Sequence, residues 1–255
     1  MSGDRAFIGV AALVFLASAA ITVLWCSSMS GMPGMEMPGG WTMSMAWMRM
    51  PGQSWAEYAG MFLGMWAVMM VAMMMPVLVP MLARYRQALH TERQAALTII
   101  VAAAYFAVWT LAGVALFPLG VALAEWSMRA PEVSRIAPGI GALVVLVAGA
   151  LQFSAWKARM LACCRHTVDC RRDVQPDYGA AWRHGLKLGV RCVYCCAGIT
   201  AVLLVMGVMD LRAMALVTMA ISAERLMPAG SFAARGIGAV LLLLGAGMLV
   251  ANIGG

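Results

Sequence analysis

Seven apolar runs, near residues 6–25, 58–82, 96–124, 137–156, 187–208, 211–227 and 236–253, most constrain what this chain can become. At 1.5 Å per residue, about 20 apolar positions cross the roughly 30 Å hydrocarbon core of a bilayer. No water is present at that depth to satisfy a bare backbone, so such runs must be helices. The sequence therefore predicts an all-α fold, a polytopic transmembrane bundle of about seven spans. Charge agrees, because only 11% of the residues are charged, against roughly a quarter in soluble domains.

Short loops rich in Lys and Arg stay on the cytoplasmic side. With the N-terminus inside, thirteen Lys/Arg, or fourteen with Arg191, fall on the cytoplasmic side and four outside (Arg49, Arg129, Arg135 and Arg212). The net charge of +7 is then mainly a topology signal, and no nucleic-acid partner is expected. Residues 1–25 read as a membrane anchor, or as a signal-like span whose cleavage after Ala17-Ser18-Ala19 would leave six spans. The apolar run continues through Ile21 to Trp25, which favours the anchor. A Met-rich external loop follows at 26–57, then a membrane helical domain at 58–255 with a Cys-containing cytoplasmic loop at 157–187. Pro176 and Gly179 should interrupt any long helix in that loop. Trp41, Trp47 and Trp55 suit the aromatic belt at a membrane interface.

Sixteen of the 25 methionines lie between Met29 and Met81. Met is a flexible core filler, but a thioether is also a soft, uncharged ligand suited to Cu(I). In the outer loop, Met35/Met37, Met43/Met45 and Met48/Met50 are i, i+2 pairs whose side chains share a face if the segment is extended. In the second run, Met61, Met65, Met69 and Met73 recur every four residues and form a helical stripe, thickened by Met70, Met74 and Met75. Pro76 removes a backbone donor there, so a kink or cavity is expected. Met43, Met45, Met48 and Met50 are the outer ligand candidates, and Met69, Met73 and Met74 the inner ones.

Six of the seven Cys fall on the expected cytoplasmic side, where thiols stay reduced. On a helix the C-x-x-C-C spacing sets Cys192, Cys195 and Cys196 on one face, able to hold one soft ion. Cys164 of the preceding loop is a natural fourth ligand, and Arg165 and Arg191 would offset thiolate charge. Packing of small apolar Cys is the competing reading. His90, His166 and His184 all lie in loops, which leaves no histidine for a haem inside the bundle. Glu224, beside Arg225, is the best-placed acid within a span, although charges near span ends commonly reach out to water. No phosphate-cradling Gly loop and no hydrolase or metalloprotease motif is present, so the residues point to no enzyme class.

With these residues in hand, the chain resembles a bacterial family of predicted metal-binding integral membrane proteins of unknown function. Trp66, Met69, Ala72, Met73, Met74 and Pro76 match its W-x-x-M-x-x-A-M-M-x-P segment. Gly149, Gln152, Lys157, Cys164 and Arg165 are similar to its G-x-x-Q…K…C-R stretch. Gly189, Cys192, Cys195 and Cys196 resemble G-x-x-C-x-G-C-C, and Gly207-Val208-Met209 and Glu224 follow in order. Tyr194, Ala197 and Met160 depart from the Gly, Trp and Cys usual there. The resemblance implies a metal site.

The expected function is a bacterial inner-membrane protein that binds a soft metal, Cu(I) before zinc, and handles copper or delivers it. Its expected partners are the lipid bilayer and a cuproprotein or larger membrane complex. Two other readings stay open: a thiol redox or electron-transfer protein using Cys164 with Cys192 or Cys195, and a subunit or assembly factor of a membrane complex.

Overall fold

The computed structural model describes residues 2–30, 34–89, 91–165, 177–228 and 230–254. These residues form helices α1 (Ser2–Ser30), α2 (Trp55–Ala88), α3 (Gln94–Arg129), α4 (Pro131–Leu151), α5 (Ala155–Arg165), α6 (Tyr178–Met206), α7 (Leu211–Leu226) and α8 (Gly230–Gly254). A hairpin of β1 (Met35–Met37) and β2 (Trp41–Met43), followed by a 3-10 turn at Met45–Trp47, joins α1 to α2.

The fold is all-α, as its apolar runs require. Six helices, α1, α2, α3, α4, α6 and α8, are long and apolar enough to cross a membrane. The seventh expected span corresponds to α7, whose 16 residues reach only about 24 Å at 1.5 Å per residue. That corrects seven spans to six helices of spanning length. α7 nonetheless carries the chain from one end of the bundle to the other. Met209, just before it, meets Cys26 at the end of α1, and Glu224 near its far end meets Lys157 of α5.

Local chemistry sets the helix ends. Ser54 and Glu57 form a reciprocal capping box at the start of α2, with the Ser54 amide donating to Glu57 at 2.8 Å. Asp177 caps α6 by accepting from the amides of Gly179 and Ala180. Asp210 caps α7 by accepting from Arg212 and Ala213. Gly207, at φ 115°, stops α6 in a conformation that L side chains avoid. α2 stays one helix from Trp55 to Ala88 through both Pro76 and Pro80.

α2 and α6 form the centre, with 56% and 50% of their most apolar stretches buried, against 11% for α1 and 22% for α8. Large apolar side chains point outward on the peripheral helices, among them Leu13 and Leu24 of α1 and Phe232, Leu243 and Val250 of α8. α3 packs most extensively on α6, and α4 on α8. Small residues permit this: a Cβ at Gly189 of α6 would lie 2.9 Å from Val108 Cβ and 3.0 Å from the Tyr105 carbonyl on α3. α1 runs antiparallel to α2, with Asp4 3.9 Å from the buried Arg86 and the Arg86 guanidinium over the Phe7 ring.

From Gly34 the Met-rich segment carries the hairpin and the 3-10 turn. Gly39 and Gly40, both at positive φ, turn the hairpin, and Met35 pairs with Met43. The hairpin is tied to α4 by Trp41 Nε1 donating to the Ser134 carbonyl (2.9 Å) and Ser134 Oγ donating to the Pro38 carbonyl (2.7 Å). Trp47 turns inward onto Phe62 (5.1 Å), which meets Phe117 (5.2 Å), while Tyr58 meets the same Phe117 (5.0 Å). Of the three tryptophans expected at an interface, only Trp55 is exposed. The loop expected at 157–187 begins inside helix α5 and ends inside α6, and residues 166–176 lie outside the described residues.

Candidate metal centre

α6 starts at Tyr178, nine residues before the apolar run suggested, so the C-x-x-C-C motif sits near mid-helix. Cys192, Cys195 and Cys196 are buried in the bundle centre rather than at its cytoplasmic edge. Arg183, Lys187 and Arg191 made this opening stretch read as loop. On the helix Arg183 and Lys187 are exposed and Arg191 half-buried, while Ala181, Gly185 and Leu188 turn inward.

Sulfur gathers around Cys192. Its Sγ lies 3.9 Å from Cys196 Sγ, one helical turn on, and 4.0 Å from Met74 Sδ of α2. Two further groups reach the same sulfur: Tyr105 Oη of α3 donates to it at 2.9 Å, and Arg225 Nη1 of α7 at 3.1 Å. Behind the cysteines, Lys157 of α5 donates to the Cys195 carbonyl at 2.6 Å and pairs with Glu224 of α7 at 2.8 Å. Gln152, just past α4, completes that network by donating to Glu224 at 2.8 Å. Lys157 and Glu224 are almost wholly buried, so the acid expected to be the best placed within a span lies inside the bundle.

The donor set suits a soft ion. Metal–thiolate bonds of about 2.3 Å, the value for zinc, put three sulfurs of a trigonal site about 4.0 Å apart. The two separations from Cys192, 3.9 and 4.0 Å, are compatible with two sides of such a site. Among the described residues no group of three or more His, Cys, Asp or Glu stands ready to hold a metal. The fit therefore rests on a mixed thiol and thioether set.

The other candidates fall in three places. Met69 and Met73 are buried in the same core cluster as Met74, with Met65 and Met70 beside them, while Met61 at the start of the stripe is half exposed. Met43 packs with Met37 and Ala124 beneath the hairpin, against Trp41, Trp47 and Met48, so the outer loop places these thioethers in a small apolar core. Met50 is exposed. The side chains of Cys164, at the end of α5, and of Met45 lie outside the described residues, as do Cys170, His90 and His166. His184 stacks on Tyr85 at 5.2 Å, away from the sulfurs.

Tyr105 carried no sequence signal beyond being an aromatic residue in an apolar run. Gln152 and Lys157 were marked only through the resemblance, and Arg225 only as the neighbour of Glu224. A charged pair recurring at the ends of otherwise apolar helices is the signal that could have joined Lys157 to Glu224.

A sulfur-lined core inside a bundle of long apolar helices defines an all-α protein with soft donor atoms at its centre. The family model for PpoB2, described as a copper chaperone, matches residues 63–248. The chain belongs to that family, which supports a copper-handling role. Every group around Cys192 lies inside the matched region, whereas Met43, Met45, Met48 and Met50 precede it. No curated protein and no solved structure matches the chain.

Proposed function

We propose that this protein is an inner-membrane copper chaperone that carries Cu(I) as cargo on Cys192, Cys196 and Met74. The approach of Cys196 Sγ (3.9 Å) and Met74 Sδ (4.0 Å) to one sulfur, Cys192 Sγ, carries the reading. Two thiolates and one thioether give Cu(I) a soft, low-coordinate site. Arg225 offsets the negative charge that two thiolates bring into a buried place, and Tyr105 fixes the orientation of Cys192. The Lys157–Glu224 pair holds α5, α6 and α7 in register behind the site. The outward apolar faces of α1 and α8 suit lipid.

Copper content and X-ray absorption of the purified protein test this. Wild type and a Met43→Leu/Met45→Leu variant should each hold Cu(I) with sulfur neighbours only, and a Cys192→Ser/Cys196→Ser variant should lose it. Equal copper in all three would sink the proposal.

A further inference from the structure

A second thiol–thioether pair lies away from the Cys192 centre. Cys26 Sγ, near the end of α1, stands 4.0 Å from Met209 Sδ, in the link between α6 and α7. Cys192 Sγ stands at the same 4.0 Å from Met74 Sδ, so the same two kinds of donor meet twice at one distance. Cys26 is 3% exposed and Met209 half-buried, which makes the thioether the partner nearer to solvent. Cys26 is a free thiol.

The two pairs stand at different levels of the bundle. A Cβ at Gly64 of α2 would lie 3.9 Å from the Trp25 ring, which sets Cys26 near the level of Met65, whereas Cys192 stands at the level of Met74. From Met65 to Met74 is about 14 Å along α2 at 1.5 Å per residue. Cys26 also precedes residues 63–248, so the copper-chaperone family match does not account for this pair.

The donors select the ion. Thiolate and thioether are both soft. Two sulfurs share one ion, at bonds of about 2.3 Å, only if they stand within about 4.6 Å of each other, and this pair does. One thiolate and one thioether around a monovalent ion make a neutral unit, which needs no counter-ion when buried, while a divalent ion would leave a charge uncompensated. The neighbouring acid, Asp210, is exposed, and its Oδ1 accepts from the amides of Arg212 and Ala213 as the cap of α7.

We propose that Cys26 and Met209 form a second, two-coordinate Cu(I) site at the hairpin end of the bundle, on its α1 and α7 side. Cu(I) forms one bond to each sulfur, the Cys26 thiol proton leaves to water, and the S–H contact between the two residues is lost. Copper stays Cu(I). With one thiolate against the two of the Cys192 centre, this pair binds more weakly, so it fills in titration and empties during purification. The site stands whether or not Cys192 carries cargo.

Anaerobic titration of the full-length protein in detergent with the Cu(I)–acetonitrile complex, read against a weak chromophoric chelator, tests the site. Met209→Leu, a nearly volume-conserving change, and Cys26→Ser should each bind one equivalent of Cu(I) fewer than wild type. Both should keep the copper that wild type retains through purification, and Zn(II) uptake should be the same in all three proteins. Wild-type Cu(I) stoichiometry in either variant would overturn the site. Loss of a Zn(II) equivalent along with the Cu(I) one would overturn the selection of a monovalent ion. The Cys192 reading fails by a different result, copper retained through purification by Cys192→Ser/Cys196→Ser.

Discussion

Arg225 Nη1 donates to Cys192 Sγ at 3.1 Å, joining the end of α7 to the middle of α6. The residue before it, Glu224, pairs instead with Lys157 of α5. One turn of a short helix therefore supplies a cation to the sulfur cluster and an anion to the scaffold behind it. The two charges stay buried because each has a partner of its own.

Replacing Arg225 by Gln should weaken Cu(I) binding. Hydrogen bonds to charged groups contribute about 1.5–3 kcal/mol, so affinity should fall roughly 10- to 150-fold. Lys at this position keeps the charge but not the planar fork, and should recover part of the loss. Competition against a chromophoric Cu(I) chelator measures both variants.

Lys157→Met leaves Glu224 buried without its cation, and breaking a buried pair from one side costs about 3–5 kcal/mol. The double variant Lys157→Met/Glu224→Leu should be more stable than Lys157→Met alone, because no orphaned charge remains. Thermal unfolding in detergent across the double-mutant cycle reads the difference.

Tyr105→Phe removes only the hydroxyl that reaches Cys192 Sγ at 2.9 Å. Loss of one such bond costs about 1 kcal/mol, a roughly fivefold loss of affinity. The same chelator competition checks it, and an unchanged affinity would show that Tyr105 does not orient the sulfur.

Met74→Leu and Met70→Leu are both nearly volume-conserving changes of buried residues, and each should cost less than about 1.5 kcal/mol of stability. Met74 Sδ lies 4.0 Å from Cys192 Sγ. X-ray absorption should therefore lose a sulfur neighbour in Met74→Leu and stay unchanged in Met70→Leu.

Gly189→Val forces α6 away from α3, since even a Cβ would stand 2.9 Å from Val108 and 3.0 Å from the Tyr105 carbonyl. Overpacking of this kind costs about 1–3 kcal/mol. The yield of monodisperse protein on size exclusion should drop, and Cu(I) affinity should drop with it because Tyr105 moves.

Helix number and placement were largely legible, because apolar runs must be helical at membrane depth. The beginning of α6 was not. Arg183, Lys187 and Arg191 lower local hydropathy, yet a helix tolerates them on outward or half-buried positions while Gly185 and Leu188 face inward. That shift of nine residues moved the cysteines from a margin to the centre. The C-x-x-C-C face and the Met stripe were each readable as one-dimensional patterns. Their meeting at Met74 and Cys192 was not, because helix pairing across 118 residues leaves no periodic trace in a single chain. The outer methionines show the same ambiguity: i, i+2 spacing fits a ligand pair and a hairpin packing face equally, and Met37 and Met43 lie in a small apolar cluster with Ala124.

The ring cluster of Trp47, Tyr58, Phe62 and Phe117 lies beneath the hairpin. Its rings come from three separate stretches of chain, the turn after the hairpin, α2 and α3. A plug assembled from three pieces keeps its shape only while all three stay in place, so the hairpin's grip on α4 also keeps this end of the bundle shut.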